Sequence, residues 1–107
     1  MATGTMVTVH AAAVRFELHI PQSRSLKAKR AAVRPLVDGL RHRFRVSVAE
    51  VDHHDRWQRA ALGVAAVAES DGRLREVLTT IERFVDRAPG VELLDVERAE
   101  LIREGEW

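Results

Sequence analysis

Cysteine and tyrosine are absent from this chain of 107 residues, and all aromatic residues together make up 5% of it. Without cysteine there can be no disulfide, no thiolate nucleophile and no zinc-finger ligation, a pattern compatible with a reducing cytoplasm. The few aromatics also bear on function. Phe16 has the parity of a core residue and the stretch 59–68 has no aromatic at all, which argues against an RNA-recognition sheet that stacks bases on its central strands. Glycine-rich phosphate loops are missing, and none of Ser23, Ser25, Ser47 or Ser70 sits in a nucleophile-elbow pattern. No window approaches the roughly 20 apolar residues of a membrane span. The start, MATGTMVTVHAAAVRF, lacks the basic region and continuous apolar stretch of a secretory signal. The expectation is a cytoplasmic protein with no membrane contact, no cofactor and no evident catalytic apparatus.

What the chain does have is charge, sorted by position. Its formal net charge is +1, yet residues 24–45 carry Arg24, Lys27, Lys29, Arg30, Arg34, Arg41, Arg43 and Arg45 against the single acid Asp38, a local net of +7. Residues 69–107 hold eleven acids against six bases. One short segment is built to meet something anionic.

Hydrophobic periodicity organises the rest. Val14, Phe16, Leu18 and Ile20 alternate with Arg15, Glu17 and His19, as in a half-buried strand that Pro21 ends. Val7, Val9, Ala11 and Ala13 have the opposite parity, which predicts a bulge or a change of partner near Ala12 if the strand is continuous. Ser25 can cap a helix whose Leu26, Val33, Leu36, Val37, Leu40 and Phe44 form one apolar stripe. Pro35 lies inside it, predicting a kink near Ala31 or two short helices. Strands follow at 46–51 and 59–68, joined by the polar loop DHHDRWQ. A second helix opens at Ser70 or Asp71, and a last strand is interrupted at Leu93 and Leu94, which suggests another bulge.

Strand, helix, strand, strand, helix, strand is the ferredoxin-like βαββαβ order, an α+β sandwich with two helices on one face of a four-stranded antiparallel sheet. Residues 1–5 read as a disordered lead and 6–107 as a single domain, with Met6 equally able to be the first ordered residue. The open sheet face is expected to carry Arg15, Glu17, His19, Ala61, Gly63 and Ala65, or their neighbours if the register differs by one. On the first helix, Lys27, Arg30, Arg34, Arg41 and Arg45 fall within about 60° at 100° per residue, a positive ridge that Asp38 can locally neutralise.

With SLKAKR at 25–30, RFRVSVAEV at 43–51 and WQRAALGVA at 57–65, the chain resembles the YlxP-like family of small bacterial proteins of unknown function. The resemblance covers nearly all of residues 6–100. It implies the ferredoxin-like fold and a link to translation, because family members are often encoded beside translation-initiation and ribosome-maturation genes. It marks Ser25, Lys27, Lys29, Arg30, Glu50, Asp55, Trp57, Gln58 and Arg59 as motif positions and assigns them no chemistry.

The leading expectation is a binding module for structured RNA or the ribosome, using Lys27, Lys29, Arg30, Arg34, Arg41, Arg45 and Trp57. Trp57 has two readings, an anchor that packs the hairpin loop or a stacking or interface residue. A second expectation is a homo-oligomeric scaffold or regulatory domain packing through Ala61, Gly63 and Ala65. A third is a metal- or ligand-dependent enzyme using the loop Asp52, His53, His54 and Asp55. Four consecutive residues in a strand-like stretch point alternately to opposite faces, so at most two of those side chains converge, and no metal site is assigned. Glu50 and Arg59 are expected to pair across the hairpin.

Overall fold

The computed structural model describes residues 9–102, with side chains as far as Ala99; the lead at 1–5, Met6 and Val7 lie outside the described residues. The elements are β1 (His10–His19), α1 (Leu26–Phe44), β2 (Ser47–Asp52), β3 (Arg59–Ala68), α2 (Asp71–Asp86) and β4 (Glu92–Ile102). They form a four-stranded antiparallel sheet in the order β2-β3-β1-β4, with β3 and β1 central. This is the ferredoxin-like arrangement.

Ala12, Val14, Phe16, Leu18 and Ile20 of β1 are buried with Ala60, Leu62, Val64 and Ala66 of β3, and the helices contribute Val33, Leu36, Leu40, Leu74, Leu78, Ile81 and Val85. β1 shows no register shift near Ala12 on either side. The bulge expected there is absent because Ala12 itself takes a core position, continuing the Val14 parity one step further, while Ala13 faces out.

The bulge at Leu93 and Leu94 is present: β4 shifts register as Leu18 meets Leu93 and Glu17 meets Asp95, leaving Leu94 unpaired and half exposed. A second register shift lies in β2, between Glu50 and Asp52. Glu50 pairs with Leu62 on the helix side and Asp52 with Ala61 on the open side, so the extra residue Val51 sends these two acids to opposite faces of the sheet. Val51 itself leans over Gly63, where an added Cβ would lie 2.9 Å from its Cγ1.

α1 starts as expected, with the Ser25 hydroxyl accepting from the Ala28 N–H at 3.0 Å. It runs through Pro35 as one helix, not two. Both Pro35 and Ala31 are exposed, so the carbonyl that loses its donor to the proline lies on the solvent side of the helix. α2 crosses α1 at Gly39, where an added Cβ would lie 2.6 Å from Cζ of Phe84. The Phe84 ring meets Phe44 edge to face with centroids 5.6 Å apart, and the Arg43 guanidinium lies 5.3 Å from its centre. Arg98 pairs with Glu82, fastening β4 to α2. Among the described residues, no helix is long and apolar enough to cross a membrane.

Candidate nucleic-acid interface

The site is assembled around a lysine that sequence reasoning placed on the surface. Lys29 shares the inner stripe of α1 with Val33, Leu36 and Leu40, and only 1% of it is exposed. Its ammonium donates to the carbonyl of His53 at 2.8 Å and to that of Arg59 at 3.2 Å, and lies 3.5 Å from Glu50. Two carbonyls accept from the ammonium and a carboxylate balances its charge, the condition under which a buried cation is tolerated. The expectation that Lys29 binds RNA is corrected: its charge is consumed inside the protein and no phosphate can reach it. The expected Glu50–Arg59 pair is also absent, since Glu50 turns to Lys29 and Arg59 to Glu17.

Lys29 ties the first helical turns of α1 to both ends of the β2–β3 loop. The loop is held a second time from the β1–α1 connection. The Gln58 side-chain amide donates to the carbonyls of Pro21 at 3.3 Å and Ser23 at 3.2 Å, while its backbone carbonyl accepts from the Ile20 N–H at 2.9 Å. The buried Ser23 hydroxyl donates to the Ser25 carbonyl. The SLKAKR and WQRAALGVA segments thus form one structural unit.

On the open face beside this unit, Glu17 is the hub of an ion network. One carboxylate oxygen accepts from Arg15 at 3.0 and 2.6 Å; the other accepts from Arg59 at 3.0 Å and lies 3.0 Å from Nε2 of His53. Burial pushes the Glu17 carboxyl up, but the hydrogen bonds from Arg15, Arg59 and His53 together outweigh it and hold the group below its ordinary value. Asp52 is likewise held low, first by the His53 N–H at 2.7 Å and then by Arg15 at 3.0 Å. His53 adopts the left-handed backbone region with φ of 62°. Its N–H, carbonyl and ring are all engaged, by Asp52, Lys29 and Glu17. That combination fixes the loop in a conformation a histidine otherwise adopts sparingly.

These contacts bear on two further expectations. Ala61 lies on the open face as predicted, opposite Glu17 and Asp52, but is completely buried and has no surface to give a second subunit. Gly63 is half covered by Val51, whereas Ala65 is exposed. In the Asp52–Asp55 loop, Asp52 and His53 are occupied by Arg15 and Glu17, and His54 lies 3.9 Å from Glu50. Among the described residues, no group of three His, Asp or Glu side chains is placed to hold a metal ion.

The basic flank of α1 is sorted differently. Arg41 donates to the carbonyl of Val48 on the edge strand β2 at 2.9 Å, which anchors the flank to the β2 side. Gly39, Arg43 and Phe44 turn toward Phe84 on the other side. Lys27, Arg30, Arg34 and Arg45 are exposed, and their charged groups have no partner among the described residues. Asp38, expected to neutralise Arg34 or Arg41, makes no ion pair among them either; its backbone carbonyl meets His42 instead. Arg45 ends the helix with φ of 54°, a position where glycine is the usual occupant. Trp57 is 55% exposed, at the surface of the β2–β3 loop.

An open antiparallel sheet, a helix stapled to its hairpin by a buried lysine and an unneutralised basic flank define a ferredoxin-like α+β protein with a preformed cationic edge. The chain belongs to the family described as "Protein of unknown function (DUF503)", which matches residues 11–98. It is 34% identical over 76 residues to the uncharacterised protein YlxP of Bacillus subtilis (strain 168), covering 71% of this chain and 83% of that protein. Its backbone is similar to the de novo designed protein Foldit4, with a TM-score of 0.52 at 11% identity over 89% of this chain and 98% of that one. At that identity the similarity concerns the fold alone.

Proposed function

We propose that this protein is a non-enzymatic binding module, cytoplasmic, that docks on structured RNA such as ribosomal RNA through the α1 flank and the Trp57 loop. The observation that carries the reading is the row of four exposed cations, Lys27, Arg30, Arg34 and Arg45, left without acids on a rigid helix. Arg15, Arg59, Arg73, Arg75 and Arg98 by contrast each meet an acid. Cations spaced along a helix and withheld from local pairing suit phosphates, where release of condensed counterions drives association. Contacts of that kind position a duplex by shape and do not read its sequence. Co-sedimentation with ribosomes at low salt tests the reading: the wild type should travel with the ribosomal fraction and an R30E/R34E variant should stay in the supernatant. Equal sedimentation of the two would remove it.

A second reading, homo-oligomerisation, is favoured by another surface. The half of the open face away from Glu17 carries Val9, Ala13, Ala65, Val67 and Ala99, all exposed and uncharged. A second copy could cover it while leaving the α1 flank free. Light scattering at micromolar concentration separates the cases: a V67E variant should dissociate a dimer, and a wild-type mass equal to one chain would exclude it.

A further inference from the structure

Trp57 and Arg56 lie on the β2–β3 loop, which Lys29 ties to the first turns of α1, where Lys27 and Arg30 open the basic flank. Trp57 lies in a shallow depression with His19, Asp55, Arg56, Gln58 and Arg59. The backbone on both sides of it is fixed: the Arg56 N–H donates to the His53 carbonyl at 3.0 Å, Gln58 is bonded to Ile20, Pro21 and Ser23, and the Arg59 carbonyl accepts from Lys29. The backbone that carries this half-exposed indole is already fixed, so a ligand stacking on it meets little penalty from ordering the loop. The groups around it are mainly donors. Arg59 keeps a buried Nε without a partner, although its Nη2 is held by Glu17. His19 donates from Nδ1 to Glu92, which leaves Nε2 of the neutral ring as an acceptor, and the guanidinium of Arg56 has no partner among the described residues. Asp55 is the acid that faces them.

An exposed aromatic face flanked by arginines, on a loop tied through Lys29 to the first turns of the helix that carries the cation row, has the elements that single-stranded nucleic acid binders combine. Resting on the RNA reading above, we propose that Trp57 stacks one unpaired nucleobase while Arg56, Lys27 and Arg30 take the adjoining phosphates. The preferred RNA is then neither a plain duplex nor a free single strand, but a duplex that ends in an unpaired extension. The helix flank would take the paired part and the loop the first free base.

The test uses the full chain carrying W107F, which leaves Trp57 as the remaining one of its two tryptophans. Two RNAs are titrated, a blunt hairpin duplex and the same duplex with a five-nucleotide single-stranded overhang. The overhang RNA should bind about tenfold more tightly, within the range of one base stacked on an aromatic side chain. It should also quench Trp57 emission, and W57A should abolish the difference between the two RNAs. R30E/R34E should weaken both. Equal affinities without quenching, with the R30E/R34E effect intact, would overturn the stacking proposal and leave the flank reading standing. If neither RNA bound, both would fall. Because Trp57 is exposed and its loop is held by backbone contacts, W57A should unfold at the same temperature as its parent, which keeps a loss of stacking distinct from a loss of fold.

Discussion

The ammonium of Lys29 and the carbonyl of His53, 2.8 Å apart, join the inner face of the first helix to a loop residue with φ of 62°. Through this contact the basic helix and the tryptophan loop keep a fixed mutual position.

Removing that lysine should be costly. K29A removes a donor from the carbonyls of Arg59 and of His53, the latter keeping the Arg56 N–H, and leaves Glu50 without its cation, and should lower stability by about 2–4 kcal/mol. The neighbouring exposed K27A should change it by no more than about 0.5 kcal/mol. Urea denaturation of the three proteins checks both statements.

Here the limits of the sequence become physical. Lys29 sits four residues before Val33 and seven before Leu36, on the apolar stripe, so its spacing already carried the signal of burial. Residue type misled, because lysine is so seldom fully buried without partners. Those partners lie some 20 to 30 residues away, and they converge only because Val51 forms a bulge that turns Glu50 toward the helix and Asp52 away. Nothing in the run VSVAEV announces that bulge, whereas the doubled leucine at 93–94 does announce the one in β4. Helix caps at Ser25 and Ser70, the strand order and the open-face parity were legible because each follows from local periodicity. The Glu17 network was not, since it needs three elements at once.

Glu17 should govern the acid limb of stability. Its carboxyl is held below the reference of 4.5, so the folded state binds fewer protons than the unfolded one in that range. The stabilisation is fully present above the unfolded pKa and is lost as pH falls through the depressed folded value. E17Q should therefore be less stable at neutral pH, by about 1–3 kcal/mol, since Arg59 and His53 lose their carboxylate while Arg15 keeps Asp52. Its stability should decline less steeply than that of the wild type below about pH 4.5. Thermal melts from pH 7 to pH 3 provide the comparison.

Two helical glycines should respond oppositely to alanine. At Gly39 the new Cβ meets the Phe84 ring at 2.6 Å, so G39A should destabilise despite the usual preference of helices for alanine. At Gly72 nothing lies within 4 Å, and G72A should add about 0.5–1 kcal/mol. An F84L background should soften the G39A penalty.

Arg45 offers a separation of stability from binding. With φ of 54°, R45G relieves an unfavourable backbone conformation and should stabilise the fold by about 0.5–1 kcal/mol. The same substitution removes one cation from the flank, so it should weaken RNA binding. A more stable protein that binds less well would show that the arginine is retained for its charge.

The central claim, that the unpaired flank of α1 binds phosphates, is tested most directly by the salt dependence of binding to a structured RNA. Four contacts from Lys27, Arg30, Arg34 and Arg45 predict a log-log slope of about −3 to −3.5. R30E/R34E should weaken binding at least about tenfold at low salt and reduce the slope by about half. A wild-type slope near zero, or identical affinity and slope for the double variant, would contradict the account.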